Sequence, residues 1–155
     1  MTVHLGVLEG TTVVILQKID PLNSIKMFAR VGAVLPAHCT AQGKILLAFS
    51  TWDRAEQIIN IHGLQRFTPN TITTAAALFE ELRAVRARGY SVDDSEHEKH
   101  IKCLGVPIIN EQGGIEAGLS ITGLQADFPD NHSIEVYVTM LQVVAANIRK
   151  DLGFG

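Results

Sequence analysis

The sequence predicts an α+β domain with a largely antiparallel central sheet flanked by helices, and three patterns predict it. The chain opens in period-two alternation, with Val3, Leu5 and Val7 on one face. It closes in a long amphipathic segment of helical period. Between these, strand-like and helix-like segments come in blocks rather than alternating one for one, which argues against a doubly wound parallel sheet.

Glu9-Gly10 offers turn chemistry after the first strand, and Val13 to Ile19 resumes in β-branched residues, so the chain begins in a hairpin. Ser24 to Arg30 alternates again and reads as a third strand. Ala41, Ile45, Leu46 and Ala48 follow helical spacing from a start near Thr40. A second helix is expected from Ser50 or Thr51 to Gly63. A third, carrying Leu78, Leu82 and Val85, is announced by Thr73-Thr74 and stopped by Gly89, with Arg83, Arg86 and Arg88 in its last turn. Tyr90 to Asp93 reads as a strand and 94–102 as an irregular charged stretch. Cys103 to Ile109 and Ile115 to Thr122 form a hairpin closed at Gln112-Gly113, with Glu111 facing Gly114. Asn131 or Ser133 caps the last helix, which runs to about Leu152.

At 155 residues and 46% hydrophobic, the chain can enclose one core but does not divide comfortably into two, so a single domain is expected over 1–155. A net charge of -3 gives no electrostatic reason to bind nucleic acid or anionic lipid. The apolar runs are too short to span a bilayer, and a soluble, cytoplasmic protein is expected. Cys39 and Cys103 are then free thiols. The immediate start inside a strand suggests a fragment from which a preceding domain is missing.

The hairpin register sets Gly105 opposite Ser120 and Cys103 opposite Thr122, so one face carries a thiol and two hydroxyls, while Ile115, Ala117, Leu119 and Ile121 take the other as core. From pattern alone, that polar stripe is either a binding floor or a solvated sheet face. Leu35 to Lys44 leads into a helix whose first amides lack internal acceptors and attract an anion, although the pattern alone reads first as an ordinary capped helix. Gly43-Lys44 is no phosphate loop, since Ile45 replaces the hydroxyl residue and the upstream glycine is absent. His97, His100 and Cys103 could contribute to a zinc site but lack paired-ligand spacing, so no metal and no cofactor is expected. An enzyme would need Cys103 as nucleophile, a nearby histidine as base and Asp93 as orienter, without any accompanying signature. The residues alone therefore point away from an enzyme.

Arg30-Val31-Gly32, Leu35-Pro36 with His38, Gly43-Lys44 with Leu46-Leu47-Ala48, Phe67 to Thr73, Arg88-Gly89-Tyr90, Asp93-Asp94 with Glu96-His97, Cys103 with Val106-Pro107, and Gly118 to Ile121 occur in register along nearly the whole chain. Together they resemble the C-terminal effector-binding domain of the isocitrate lyase regulator (IclR) family of bacterial transcription regulators. The resemblance implies a GAF-like fold, a winged helix-turn-helix domain preceding this chain in the full-length protein, and a small-molecule effector such as an organic acid or sugar acid. It further implies a homodimer or homotetramer that meets DNA only through the absent domain, and an effector that acts through loop 94–102 and subunit packing. An oligomerisation module without a ligand is the alternative.

By the same resemblance, Met27 and Leu35 are apolar walls, Ala41 and Gln42 backbone donors, Asp93 a polar gate, Ile101 a lid contact, and Cys103, Ser120 and Thr122 the polar floor. Two positions depart from the family. His100 stands where a glycine is common, and is expected to reach into the pocket instead of copying glycine's backbone. Gln42 is larger than the usual residue, and is expected to narrow the pocket or offer an amide to a hydroxylated ligand such as a sugar acid.

Overall fold

The computed structural model describes residues 1–22 and 29–155. Strands β1 (Thr2–Glu9) and β2 (Thr12–Ile19) form the opening hairpin across Gly10, which adopts φ +61°. Most of the expected third strand lies outside the described residues, and its end at Ala29-Arg30 is not strand. The next strand, β3 (Val34–Leu35), is instead a two-residue edge paired to Val13 and Val14, too short to leave an alternation signal.

Helices α1 (Ala41–Phe49), α2 (Trp52–His62) and α3 (Ala75–Arg88) are capped by Thr40, Thr51 and Thr74, each hydroxyl accepting the amide three residues on. Gly89, at φ 84°, ends α3 in the left-handed conformation that glycine takes most cheaply. Strands β4 (Ser91–Asp94), β5 (Ile101–Ile109) and β6 (Ile115–Leu124) follow, then a single 3-10 turn and α4 (Asn131–Asp151). The cap of α4 is Asp130, one residue before the expected position, with Ser133 completing a reciprocal capping box.

The six strands make one antiparallel sheet in the order β3-β2-β1-β6-β5-β4. Helix α1 lies directly on one face, touching β1, β4, β5 and β6, and is itself covered by α2 and α3. Ile45, Leu46 and Leu47 pack there with Ile58, Leu78 and Leu82. On the opposite face, Leu104, Val106, Leu119 and Ile121 meet Val138, Leu141 and Ala145 of α4. Burial on both faces explains why β6 is apolar on its α4 side yet hidden on its polar side.

Cys103 does oppose Thr122, and Gly105 does oppose Ser120, but the closing turn differs from the expected one. Asn110, not Glu111, sits opposite Gly114, exchanging backbone hydrogen bonds with Gly113 and Gly114 across a loop of Glu111, Gln112 and Gly113. A bulge then restores the register, since Ile109 pairs with Ile115 while Ile108 pairs with Ala117. The extra residue also reverses the pleat, so Ile115 packs with the α1 core and only Ala117, Leu119 and Ile121 with α4.

Candidate functional site

The face beneath α1 is built from cross-strand rows. Asp93, Cys103, Thr122 and Thr2 form one, and Ser91, Gly105, Ser120 and His4 the next. A third pairs Gly118 with Gly6. These glycines let α1 approach. A Cβ on Gly105 would come within 2.7 Å of Ser91 Oγ and 3.0 Å of Ala41 O, where Ser91 Oγ now donates to Ala41 O at 2.7 Å. A Cβ on Gly6 would sit 2.9 Å from Gln42 Oε1.

The start of α1 is thereby held over the polar rows. Thr40 Oγ1 accepts from Gly43 N and donates to Pro36 O, and Thr40 O accepts from Lys44 N. The amides of Ala41 and Gln42 have no acceptor within the helix. A cavity of about 120 Å³ opens between this helix end and the sheet. Leu35, Ala41, Gln42, Asp93, Ile101, Cys103, Ser120 and Thr122 all line it. Met27 lies outside the described residues. His100 is exposed and is not among the lining residues, contrary to the expectation that it reaches inward.

His100 instead adopts φ 65°, the very backbone conformation that glycine would supply, and uses its carbonyl to accept from Gln125 N. Its side chain is carried away from the cavity as a result. Since a left-handed non-glycine residue is strained by about 1–3 kcal/mol, and glycine gives back part of that in chain entropy, His100→Gly is expected to stabilise the domain. A gain of about 1 kcal/mol, or roughly 2–4 °C in Tm, is checked by thermal unfolding.

His4, Ala29, Thr40, His97 and Glu98 complete the lining. His4 Nε2 lies 2.9 Å from Ala29 O, so that nitrogen carries the proton, and Nδ1 faces Thr122 Oγ1 at 3.5 Å. Burial lowers the pKa of both His4 and His97, which makes them neutral imidazoles rather than fixed cations. Thr122 Oγ1 donates to Cys103 Sγ at 3.3 Å. Burial, reinforced by the charge of Asp93, pushes the Cys103 thiol far up, and burial pushes Cys39 up to about 12. Neither is a thiolate, so the nucleophile that an enzyme reading needs is missing. Among the described residues no three His, Cys, Asp or Glu side chains are grouped to hold a metal ion.

Asp93 is 3% exposed, and burial raises its carboxyl to about 7, with the charge of Glu96 adding to the rise and the bond from Glu96 N to Asp93 Oδ1 opposing it. The native state therefore keeps this proton up to about pH 7, whereas the unfolded chain releases it near the model-peptide value of 3.8. In that window the native state binds more protons, so stability falls as pH rises. Asp93→Asn is expected to flatten this decline by a few kcal/mol, read from urea midpoints taken at intervals from pH 4 to pH 8.

The segment 94–102 is not a solvated charged loop throughout. Ser95 and Glu96 are buried, and Thr68 and Thr71 donate their hydroxyls to the Ser95 and Glu96 carbonyls. Phe67 stacks edge-on against His97 at 4.9 Å. Lys44 points into this anchor, its Nζ 2.7 Å from Glu96 Oε2.

The sequence is 35% identical to the HTH-type transcriptional regulator KdgR of Dickeya chrysanthemi and 36% identical to that of Escherichia coli K12, in each case over 99% of this chain. It spans 50% and 58% of those two proteins, so the chain covers about half the length of these relatives. Among solved structures, the Thermotoga maritima IclR superposes with a TM-score of 0.91 at 38% identity, over 99% of this chain and 62% of that one. The Acinetobacter PobR inducer-binding domain, crystallised as a double mutant with 3-hydroxybenzoic acid, gives 0.86 at 29% identity, over 96% and 87% of the two chains. These relatives are regulators of transcription, not enzymes. Residues 1–150 match the family described as "Bacterial transcriptional regulator IclR C-terminal", and the chain belongs to it.

Proposed function

We propose that the cavity is the effector site of a transcription regulator and takes a small organic acid or sugar acid. The observation that carries this reading is the convergence on one cavity of the helix start at Ala41 and Gln42 with the polar row Asp93, Cys103, Thr122 and its neighbour Ser120. A carboxylate at the amides gains charge-assisted hydrogen bonds, each contributing about 1.5–3 kcal/mol, and the row of Asp93, Cys103 and Thr122 offers hydrogen-bond partners to ligand hydroxyls. Occupancy acts on the segment 94–102, which Ile101 and His97 tie to the cavity, and so on DNA binding by a winged helix-turn-helix domain outside this chain. The two-state coupling requires different effector affinities in the two states.

Self-association is proposed with it, as a homodimer or homotetramer. Val136, Met140, Val143 and Val144 form an exposed apolar stripe on α4, beside the face used for the core. No helix among the described residues is long and apolar enough to cross a membrane, which fits a cytoplasmic regulator.

A panel of sugar acids and short organic acids, screened by thermal shift, tests the sensing role. At about 100 times its Kd, a ligand of the native state stabilises by roughly 2.7 kcal/mol. The Ser120→Ala, Thr122→Ala double variant is expected to abolish that shift while leaving the mass in solution unchanged. A panel without effect on Tm or on operator binding by the full-length protein overturns the sensor and favours the interaction module.

A further inference from the structure

We infer that Gln42 is a positioning residue that fixes the hydrogen-bond polarity of the cavity floor, holding Ser120 as a donor so that the site selects a carboxylate oxygen over a carboxamide there. The inference deepens the proposed effector role of the cavity and rests on it for the ligand, but its central element is a property of the empty protein.

The geometry leaves little freedom. Gln42 is 3% exposed, and one end of its amide lies 3.0 Å from the backbone oxygen of His4 and 2.9 Å from Ser120 Oγ. A backbone carbonyl can only accept, so the group facing His4 O is Nε2 and not Oε1. The same NH₂ therefore faces Ser120, and Ser120 Oγ must accept from it. The Ser120 hydroxyl hydrogen is then directed away from Gln42, and Ser120, 2% exposed, lines the cavity.

The other end of the amide explains why the side chain can lie here. Gln42 Oε1 is buried with no hydrogen-bond partner among the described residues. It is seated against Gly118 and Gly6, a cross-strand pair with no Cβ to displace it. The sheet thus gives up two side chains and tolerates an orphan acceptor to keep Nε2 on His4 O and Ser120 Oγ. A donor hydroxyl beside the free amides of Ala41 and Gln42 sets three donors together at that end of the cavity, while the nearby acceptor, His4 Nδ1, faces Thr122 Oγ1. An anionic oxygen satisfies them; a carboxamide NH₂ turned toward them does not.

Gln42 Nε2 is the donor that His4 O and Ser120 Oγ share, so removing it leaves His4 O as the acceptor toward which the Ser120 hydrogen is free to turn. The decisive experiment is neutron diffraction from crystals of the perdeuterated chain. A Ser120 deuteron directed into the cavity upholds the inference, and one directed at His4 O or at Gln42 overturns it. Binding of glycerate and glyceramide to wild type, Gln42→Leu, Ser120→Ala and the double variant supplies the second readout.

Gln42→Leu is expected to weaken glycerate by roughly ten- to a hundredfold and glyceramide by less than about threefold. Ser120→Ala should do the same, and the double variant should lose nothing further. Equal losses for both probes, or additive losses in the double variant, overturn the selective role and make Gln42 a packing residue. Because Ser120→Ala removes only one hydroxyl, it tests the Ser120 donor even should Gln42→Leu fail to fold, and the deuteron position then decides the role of Gln42. A wild-type chain that binds neither probe counts against the sensing role of the cavity, and the deuteron position still decides the polarity.

Discussion

Lys44→Met is expected to lower the stability of the domain by about 3–5 kcal/mol, the loss typical of leaving one partner of a buried ion pair without its counter-charge. Lys44 is 1% exposed, in a helix whose residues from Ala41 to Ala48 are all buried, and its Nζ meets Glu96 Oε2 at 2.7 Å and Glu81 Oε1 at 3.4 Å. Methionine fills much of the same volume, so packing is largely retained and the loss is electrostatic. At roughly 2–4 °C per kcal/mol for a chain of this size, Tm should fall by about 10 °C. Pairing the change with Glu96→Gln removes the stranded charge and should recover at least half of the loss, which a double-mutant cycle in urea measures. Were the double variant no more stable than Lys44→Met alone, Lys44 would be acting through packing and not through its charge.

The functional side of this ion pair lies in the neighbouring bonds. Glu96 N donates to Asp93 Oδ1, and Asp93 lines the cavity. Lys44 in α1, Glu96 in the turn and Asp93 in β4 therefore connect the helix that carries the free amides to the segment proposed to respond to the effector. Loosening that connection should lower effector affinity as well as stability, whereas His100→Gly, five residues beyond Ser95 on an exposed turn, should change stability alone.

How much of this was legible in the sequence depends on whether the information is local. Helix caps are local, and Thr40, Thr51, Thr74 and Gly89 stand where hydroxyl and glycine chemistry places them. The Cys103–Thr122 register is also local, but it was reached through a shorter turn than the real one. The longer loop and the bulge at Glu116 offset each other, so the register survives at Ser120 and Thr122 and fails at Ile115, beyond the bulge. His4 illustrates the opposite case. Its alternation with Val3 and Leu5 shows only that it faces the other side of β1. That β1 pairs with β6, and so sets His4 beside Ser120, depends on strands separated by more than a hundred residues. The left-handed turn at His100 escaped for another reason, because histidine is a poor signal of positive φ even where the backbone demands it.

Gly43→Ala is expected to cost about 3 kcal/mol or more and to abolish effector binding, because backbone atoms obstruct it more closely than they do Gly6, Gly105 or Gly118. A Cβ at Gly43 would overlap Cα, C and O of Ala37. These are backbone atoms of the turn that carries Thr40, and Thr40 Oγ1 caps the helix through Gly43 N itself. The methyl can be accommodated only by moving α1 and the 37–40 turn apart, which breaks the cap and displaces the Ala41 and Gln42 amides together. Ala37→Gly should therefore fail to rescue it, since that change removes none of the obstructing atoms. Gly118→Ala makes the instructive contrast. Its Cβ meets the far end of the Gln42 side chain and Ile45 Cγ2, so shortening the first obstacle with Gln42→Ala should restore part of the lost stability, the contact with Ile45 remaining. Urea midpoints for the four single and two double variants distinguish the two cases. Rescue of Gly43→Ala by Ala37→Gly would mean that the helix start is held by side-chain packing, and that its amides are free to shift with the ligand instead of being fixed for it.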